Sequence, residues 1–199
     1  VMAAGQGVFN KILVHISVET VAAYQVAGRL DMLVFLPIFS IAASLTTLIG
    51  MFYGAKEFEA LRFTIRYGII SALIITIFSS ALVYIFADQV VRFFTEDESI
   101  VLIAVNFLQI FAFAYPFIAV GITTSRVLQG LGKGLPVLVI TIVRVLGVSA
   151  PLALFFVFIM EKSVEWVWYS MMLSTVVAFA IGLTWLVSTI KKLPVKKSD

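Results

Sequence analysis

The chain has 199 residues, of which 62% are hydrophobic and only 13% charged, with 14 Lys and Arg against 11 Asp and Glu and no cysteine. Soluble domains carry about 45–50% apolar and about 25% charged residues, so water is not the main solvent of this sequence. The lack of cysteine excludes disulfide frameworks and thiol chemistry, and the net charge of +3 implies no nucleic-acid partner, because the basic residues fall between apolar runs.

Those runs predict an all-α fold, a polytopic membrane bundle of six transmembrane helices with approximate spans 1–18, 32–53, 67–87, 100–125, 135–160 and 166–190. A helix needs ~18–20 apolar residues to cross the hydrocarbon core, whereas a membrane barrel would alternate apolar and polar over ~10-residue segments. No Pro-, Gly- or Ser-rich linker divides residues 1–199, so a single membrane domain is expected. The apolar opening without a charged leader reads as a chain cut within its first helix rather than as a signal peptide.

In the first span Gln6, Asn10 and Ser17 fall within about 40° of one another on a helix, forming one polar stripe. Two readings stand: a cavity wall, or hydrogen bonding between packed helices. Lys11 and His15 share the opposite face, Lys11 placed to snorkel and His15 to pack.

Gln25, Arg29 and Asp31 precede the second span, near a membrane boundary. Arg29 and Asp31 are two residues apart, so they do not face each other and each needs another partner. Pro37 is expected to bend or loosen the helix. Ser40, Ser44 and Thr47 make a small-residue stripe that predicts close helix packing. The polar stretches 54–66 and 88–99 are each long enough for a small interfacial helix.

On the fourth span Asn106, Gln109, Phe113, Phe117 and Thr124 lie within about 60° of one another. Such a face offers a lipophilic cation both hydrogen-bond acceptors and π surface, or else packs in the bundle interior. Residues 130–136, GLGKGLP, read as a tight turn, with glycines for positive φ and a proline to start the next helix. Arg144 then stands near the middle of the fifth span, where facing lipid costs about 2.5–3.5 kcal/mol, so it must point inward. It could repel or position ions, or tie helices together.

Alternation along six spans sorts the charges onto two sides. One holds Lys56, Arg62, Arg66, Arg126, Lys133, Lys191, Lys192, Lys196 and Lys197; the other holds only Arg92 and Lys162 among seven acids. Short cytoplasmic loops carry the Lys/Arg excess, which puts the C-terminus in the cytoplasm. No H-E-x-x-H, G-x-S-x-G or paired intramembrane acids occur, so no enzyme and no metal site is indicated.

Ala22, Ala23, Tyr24 and Gln25, then Pro37, the small run 42–44 and the exit at Gly54 and Ala55, resemble in order and spacing the opening of the second lobe of the multidrug and toxic compound extrusion family. Leu128, Gln129, Gly130, Gly132 and Lys133 are similar to that family's turn between the fourth and fifth lobe helices. The resemblance implies two six-helix lobes in the plasma membrane, related by a pseudo-twofold axis and opening alternately to either side. They would exchange Na+ or H+ for cationic amphipathic drugs, with no cofactor. This chain would be the C-terminal lobe, its partner the N-terminal lobe of the same parent protein, and Gln25 and Phe35 would match positions near the cavity. One branch of the family places acidic ion ligands at positions that fall near Met2 and Ile118, yet no acid occurs in 1–17 or 99–126. Ion coupling is therefore expected mainly in the absent lobe. A flippase of lipid-linked oligosaccharides shares the architecture and is one alternative; a non-transporting membrane scaffold is another.

Overall fold

The structure, a computed structural model, describes residues 2–194, with side chains from residue 6 onward. It has six helices: α1 (Met2–Ile16), α2 (Val18–Gly54), α3 (Phe58–Arg92), α4 (Glu98–Gly130), α5 (Gly134–Ile159) and α6 (Glu165–Lys191). Among the described residues there is no strand. Helices α2 to α6 are long and apolar enough to cross a membrane, while the 15 described residues of α1 span about 22 Å at 1.5 Å each. The all-α membrane bundle expected from the apolar runs is the fold found.

Three local expectations change. The first helix ends at Ile16, and Ser17 leaves the polar stripe to cap α2: its backbone is extended at φ −169° and its hydroxyl accepts the Thr20 N–H at 3.1 Å. That accounts for one of the orphan donors at the helix start, so α2 begins at Val18 and runs unbroken through Gln25, Arg29, Asp31 and Pro37. Its 37 residues reach about 55 Å, far beyond the ~30 Å hydrocarbon core. Neither polar stretch makes a helix of its own. Residues 58–66 are the first turns of α3, and Asp97 caps α4, its carboxylate accepting the Ser99 N–H at 2.9 Å.

α4 is the hub. Its buried residues, from Val101 through Phe107, Tyr115 and Thr124 to Leu128, leave no broad exposed face, because α2, α3, α5 and α6 all pack on it. Lipid tails are as apolar as leucine, so this packing draws on close contact and hydrogen bonds rather than on escape from water. Near the acidic end Tyr24 stacks on Trp168 at 5.9 Å while Phe107 meets both edge-on, at 5.7 and 4.8 Å, tying α2, α4 and α6. At the other end the backbones themselves approach: a Cβ on Gly130 would stand 2.7 Å from the Thr46 carbonyl oxygen of α2.

The turn after α4 closes as expected. Gly132 takes φ +73°, and the Lys133 N–H donates to the Leu128 carbonyl at 2.8 Å, satisfying a helix-terminal acceptor. On the same side Arg62 donates to the Leu193 carbonyl at 3.1 Å. Across the bundle Arg92 pairs with Asp88 at 2.9 Å and Glu98 at 2.6 Å, bridging the α3–α4 turn. The basic and acidic loops thus lie at opposite ends, in the up-and-down order that alternation required. Lys196 and Lys197 lie outside the described residues.

α5 departs from α-helical hydrogen bonding twice, at Val143–Ser149 and Phe155–Ile159, where π-turns replace α-turns. At the first, the Ala150 N–H reaches back five residues to Val145, beside Pro151, which has no N–H for the Gly147 carbonyl. Pro37 and Pro116 lie in unbroken α-helix, so a proline alone does not dictate the widening.

Candidate functional site

The widened turn carries the one charge set deep in the bundle's fifth helix. In an α-helix, residues 144 and 149 would point about 140° apart. With i to i+5 bonding the turn takes up more residues, so positions five apart come within about 50° of each other, which puts Arg144 and Ser149 on one face. That face looks into a cavity of about 240 Å³ between α1, α2, α4, α5 and α6. Gln6, Tyr24, Ser174 and Thr175 supply its other polar walls, and Phe9, Phe111, Ile118 and Met171 its apolar ones.

A second cavity of about 240 Å³ continues toward the basic end and shares Arg144, Ile118 and Thr175 with the first. Arg126 and Gln129 line its far side, the Arg126 guanidinium donating to the Gln129 amide oxygen at 3.2 Å. Among the described residues no Asp or Glu lines either cavity. Among the described residues Arg144 has no carboxylate within ion-pair distance and no hydrogen-bond partner. The hydroxyls of Ser174 and Thr175 donate to the Met171 carbonyl of their own helix at 2.7 and 3.0 Å, so toward the cavity they present acceptor lone pairs.

The nearest intramembrane acid is engaged elsewhere. Asp31 accepts a hydrogen bond from the Tyr115 hydroxyl, which joins α2 to α4, and Phe35 packs edge-on against that same Tyr115 ring at 5.3 Å. Asp31 thus finds the separate partner its spacing demanded, while Arg29 is exposed and among the described residues has no ion pair.

The residues singled out from the sequence divide among several places. Gln6 and Arg144 meet in the first cavity. Phe35 is buried, and Gln25 is exposed on α2 away from both cavities. Asn10 is tucked in the bundle with its amide oxygen buried and unpartnered among the described residues, so no interhelix hydrogen bond is made through that atom. Asn106, Gln109 and Phe113 do share a face, but it opens on a separate groove of about 300 Å³ with Tyr84, Tyr169 and Met172. Phe117 lines the second cavity, and Thr124 lies against Gly182 of α6. His15 packs, stacking on Phe158 at 4.7 Å.

Four polar residues of the first cavity were not marked as cavity residues by the sequence: Tyr24, seen there only in the family resemblance, and Ser149, Ser174 and Thr175. Ser174 and Thr175 form an adjacent polar pair inside an apolar run, a visible signal. Gly147 followed four residues later by Pro151 marks the widened turn.

The small-residue stripe of α2 behaves differently from expectation. Ser40, Ser44 and Thr47 are exposed, and the face that packs inside the chain is Ile38, Ala42, Leu45 and Ile49. The Ser40 and Ser44 hydroxyls instead bond back to the Leu36 and Ser40 carbonyls at 3.2 and 3.1 Å. Hydroxyls bonded in this way are satisfied within their own helix, and small residues of this kind suit the close approach of a neighbouring protein surface.

Six antiparallel helices, one broken by π-turns at an arginine-bearing cavity, can be compared with known families. The family model described as MatE matches residues 2–155. The chain belongs to the MatE family. A probable multidrug resistance protein NorM from Thermotoga maritima is 26% identical over 188 residues, covering 94% of this chain and 40% of that relative. A transporter of the MOP superfamily from Pyrococcus furiosus, whose binding pocket of reverse polarity suggests a different function for it, superposes with a TM-score of 0.89 at 28% identity over 99% of this chain and 44% of its own. An outward-facing multidrug resistance MATE transporter superposes with a TM-score of 0.88 at 28% identity over 96% of this chain and 43% of its own. The chain therefore spans about two fifths of the length of the MatE relatives it matches. It is an integral membrane protein of a family of transporters, not of enzymes.

Proposed function

We propose that this chain forms the second, C-terminal lobe of a secondary transporter that expels amphipathic organic compounds by antiport against Na+ or H+, alternating access between two lobes. The observation that carries the reading is the exposed stripe of small polar residues Ser40, Ser44 and Thr47 on α2, of the kind that membrane helices turn toward other protein and here left without a neighbour among the described residues, which suits a face toward a second lobe. The similarity to multidrug resistance relatives of more than twice this length supports it.

Cationic amphipathic drugs are the cargo class that the family resemblance suggests. The groove of Tyr84, Phe113 and Tyr169, with the Gln109 amide beside it, has the π faces and carbonyl that such a cation requires. The coupling ion belongs mainly to the other lobe, a reading supported by cavities that no acid lines among the described residues. The plasma membrane is the proposed location, with the basic end and the C-terminus in the cytoplasm, following the Lys/Arg excess of that end.

A second reading rests on Arg144 and Arg126. Two arginines and no acid along the paired cavities also suit a flippase of lipid-linked oligosaccharides, whose phosphates need positive partners.

The test is ion-driven efflux of rhodamine 6G from proteoliposomes holding the full-length parent protein. Efflux that stops when the Na+ and H+ gradients are collapsed is the expected result. Efflux indifferent to both gradients, or none for any organic probe, would overturn the reading.

A further inference from the structure

A guanidinium in the middle of a membrane helix has to be compensated, and among the described residues no group compensates it. Arg144 has five N–H donors, no carboxylate within reach and no hydrogen-bond acceptor bound to it among the described residues. The oxygens of Ser174 and Thr175 offer acceptors in the same cavity, which leaves most of the fork unspent. Gln6, Tyr24 and Ser149 line the same wall with groups able to donate as well as accept, so one cation and three neutral polar side chains border a space that no acid lines among the described residues.

We propose that the cavity at Arg144 is a binding site for an anionic group, a carboxylate, sulfonate or phosphate, carried by an amphipathic organic molecule. The planar fork suits bidentate capture of such a group, and the apolar bundle around the cavity strengthens the pair by lowering the local dielectric. Phe9, Phe111, Ile118 and Met171 receive the apolar body next to the head. A larger molecule extends into the second cavity, where Arg126 gives a further positive charge nearer the basic end.

The inference rests on the transport reading and widens its cargo from cations to organic anions and zwitterions. The π-turn is part of the site, because it brings Ser149 over Arg144.

The experiment measures equilibrium binding of fluorescein, an organic anion, by fluorescence anisotropy to the detergent-solubilised full-length parent. Rhodamine 6G, a cation on a similar ring body, is the matched control. Arg144→Gln is expected to weaken fluorescein binding at least tenfold, Arg144→Lys to restore part of it, and neither to weaken rhodamine 6G. Tyr24→Phe, which keeps the charge and the ring, is expected to weaken fluorescein about threefold, in line with loss of one hydrogen bond. Competition by phosphatidylglycerol, but not by phosphatidylcholine, would assign the anionic group to a lipid head; no competition would assign it to a soluble cargo.

Fluorescein affinity unchanged in Arg144→Gln would overturn the proposal, as would equal loss of both probes in a monodisperse variant, since Arg144 would then be a tie between lobes. Ion-driven rhodamine 6G efflux without any fluorescein binding would sink this proposal and leave the transport reading standing. Fluorescein binding without efflux of any probe would do the reverse.

Discussion

The Tyr115 hydroxyl donates to the Asp31 carboxylate, joining the hub helix α4 to the long helix α2 inside the membrane. Asp31 has no arginine partner, so this hydrogen bond and the Phe35 ring packed beside Tyr115 define how the two helices meet at mid-depth. Tyr115→Phe keeps the ring and removes the donor, which leaves the acceptor unsatisfied. The expected cost is about 1–3 kcal/mol, seen as a lower melting temperature of the full-length protein in detergent. Asp31→Asn on the Tyr115→Phe background should recover part of the loss, because the neutral amide is cheaper to leave without that donor. Equal melting temperatures for Tyr115→Phe and the unchanged protein would show that the bond contributes nothing.

Gly130 is required by contact rather than by conformation. Its Cβ would meet the Thr46 carbonyl oxygen at 2.7 Å and the Ile49 Cβ at 3.0 Å, and a backbone oxygen cannot rotate away. Gly130→Ala is expected to force α2 and α4 apart at a cost of about 1–3 kcal/mol, read as thermal stability. Gly121→Ala on the same helix has nothing within 4 Å of its Cβ and should leave stability unchanged or slightly raised.

Pro151→Ala returns an N–H to the helix just after the π-turn. The Gly147 carbonyl regains a donor four residues on, α-helical register is restored, and Ser149 swings away from Arg144. Stability is expected to hold or rise while fluorescein binding falls several-fold. A variant that keeps full binding would show that the turn does not shape the cavity.

Ile118 faces both cavities that Arg144 lines. Ile118→Asp gives the guanidinium an internal partner, and the two charges neutralise each other in a low-dielectric space. Loss of fluorescein binding with rhodamine 6G binding retained or tightened is the expected outcome. Unaltered fluorescein binding would mean that the introduced carboxylate and Arg144 do not meet.

The helices were legible because each is a long apolar run with polar loops at its ends, and Arg144 stood out because a charge in such a run is expensive. Helical periodicity also grouped Asn106, Gln109 and Phe113 on one face, and the structure keeps them together. Periodicity says which residues share a face, however, and not which neighbour that face meets. The fourth-helix stripe therefore opens on its own groove, away from Gln6 and Arg144. For Ser149 the period itself changes, since α-helical spacing sets it about 140° from Arg144 and only the turn before Pro151 aligns the two. Ser40, Ser44 and Thr47 were read as an internal seam because small residues usually bring helices together. In this chain they lie outside the core, on a surface that only a larger assembly can cover.

The central claim is that this stripe of α2 faces a cleft between two lobes, and single-cysteine accessibility tests it directly, since this chain has no cysteine of its own. Ser40→Cys and Thr47→Cys would be introduced into a cysteine-free version of the full-length parent, with Ile74→Cys and Phe78→Cys on the exposed face of α3 as lipid-facing controls. A membrane-impermeant maleimide should label positions 40 and 47 under one direction of the ion gradient, leave them protected under the other, and never reach 74 or 78. Identical labelling at all four positions, or labelling at 40 and 47 that ignores the gradient, would contradict it.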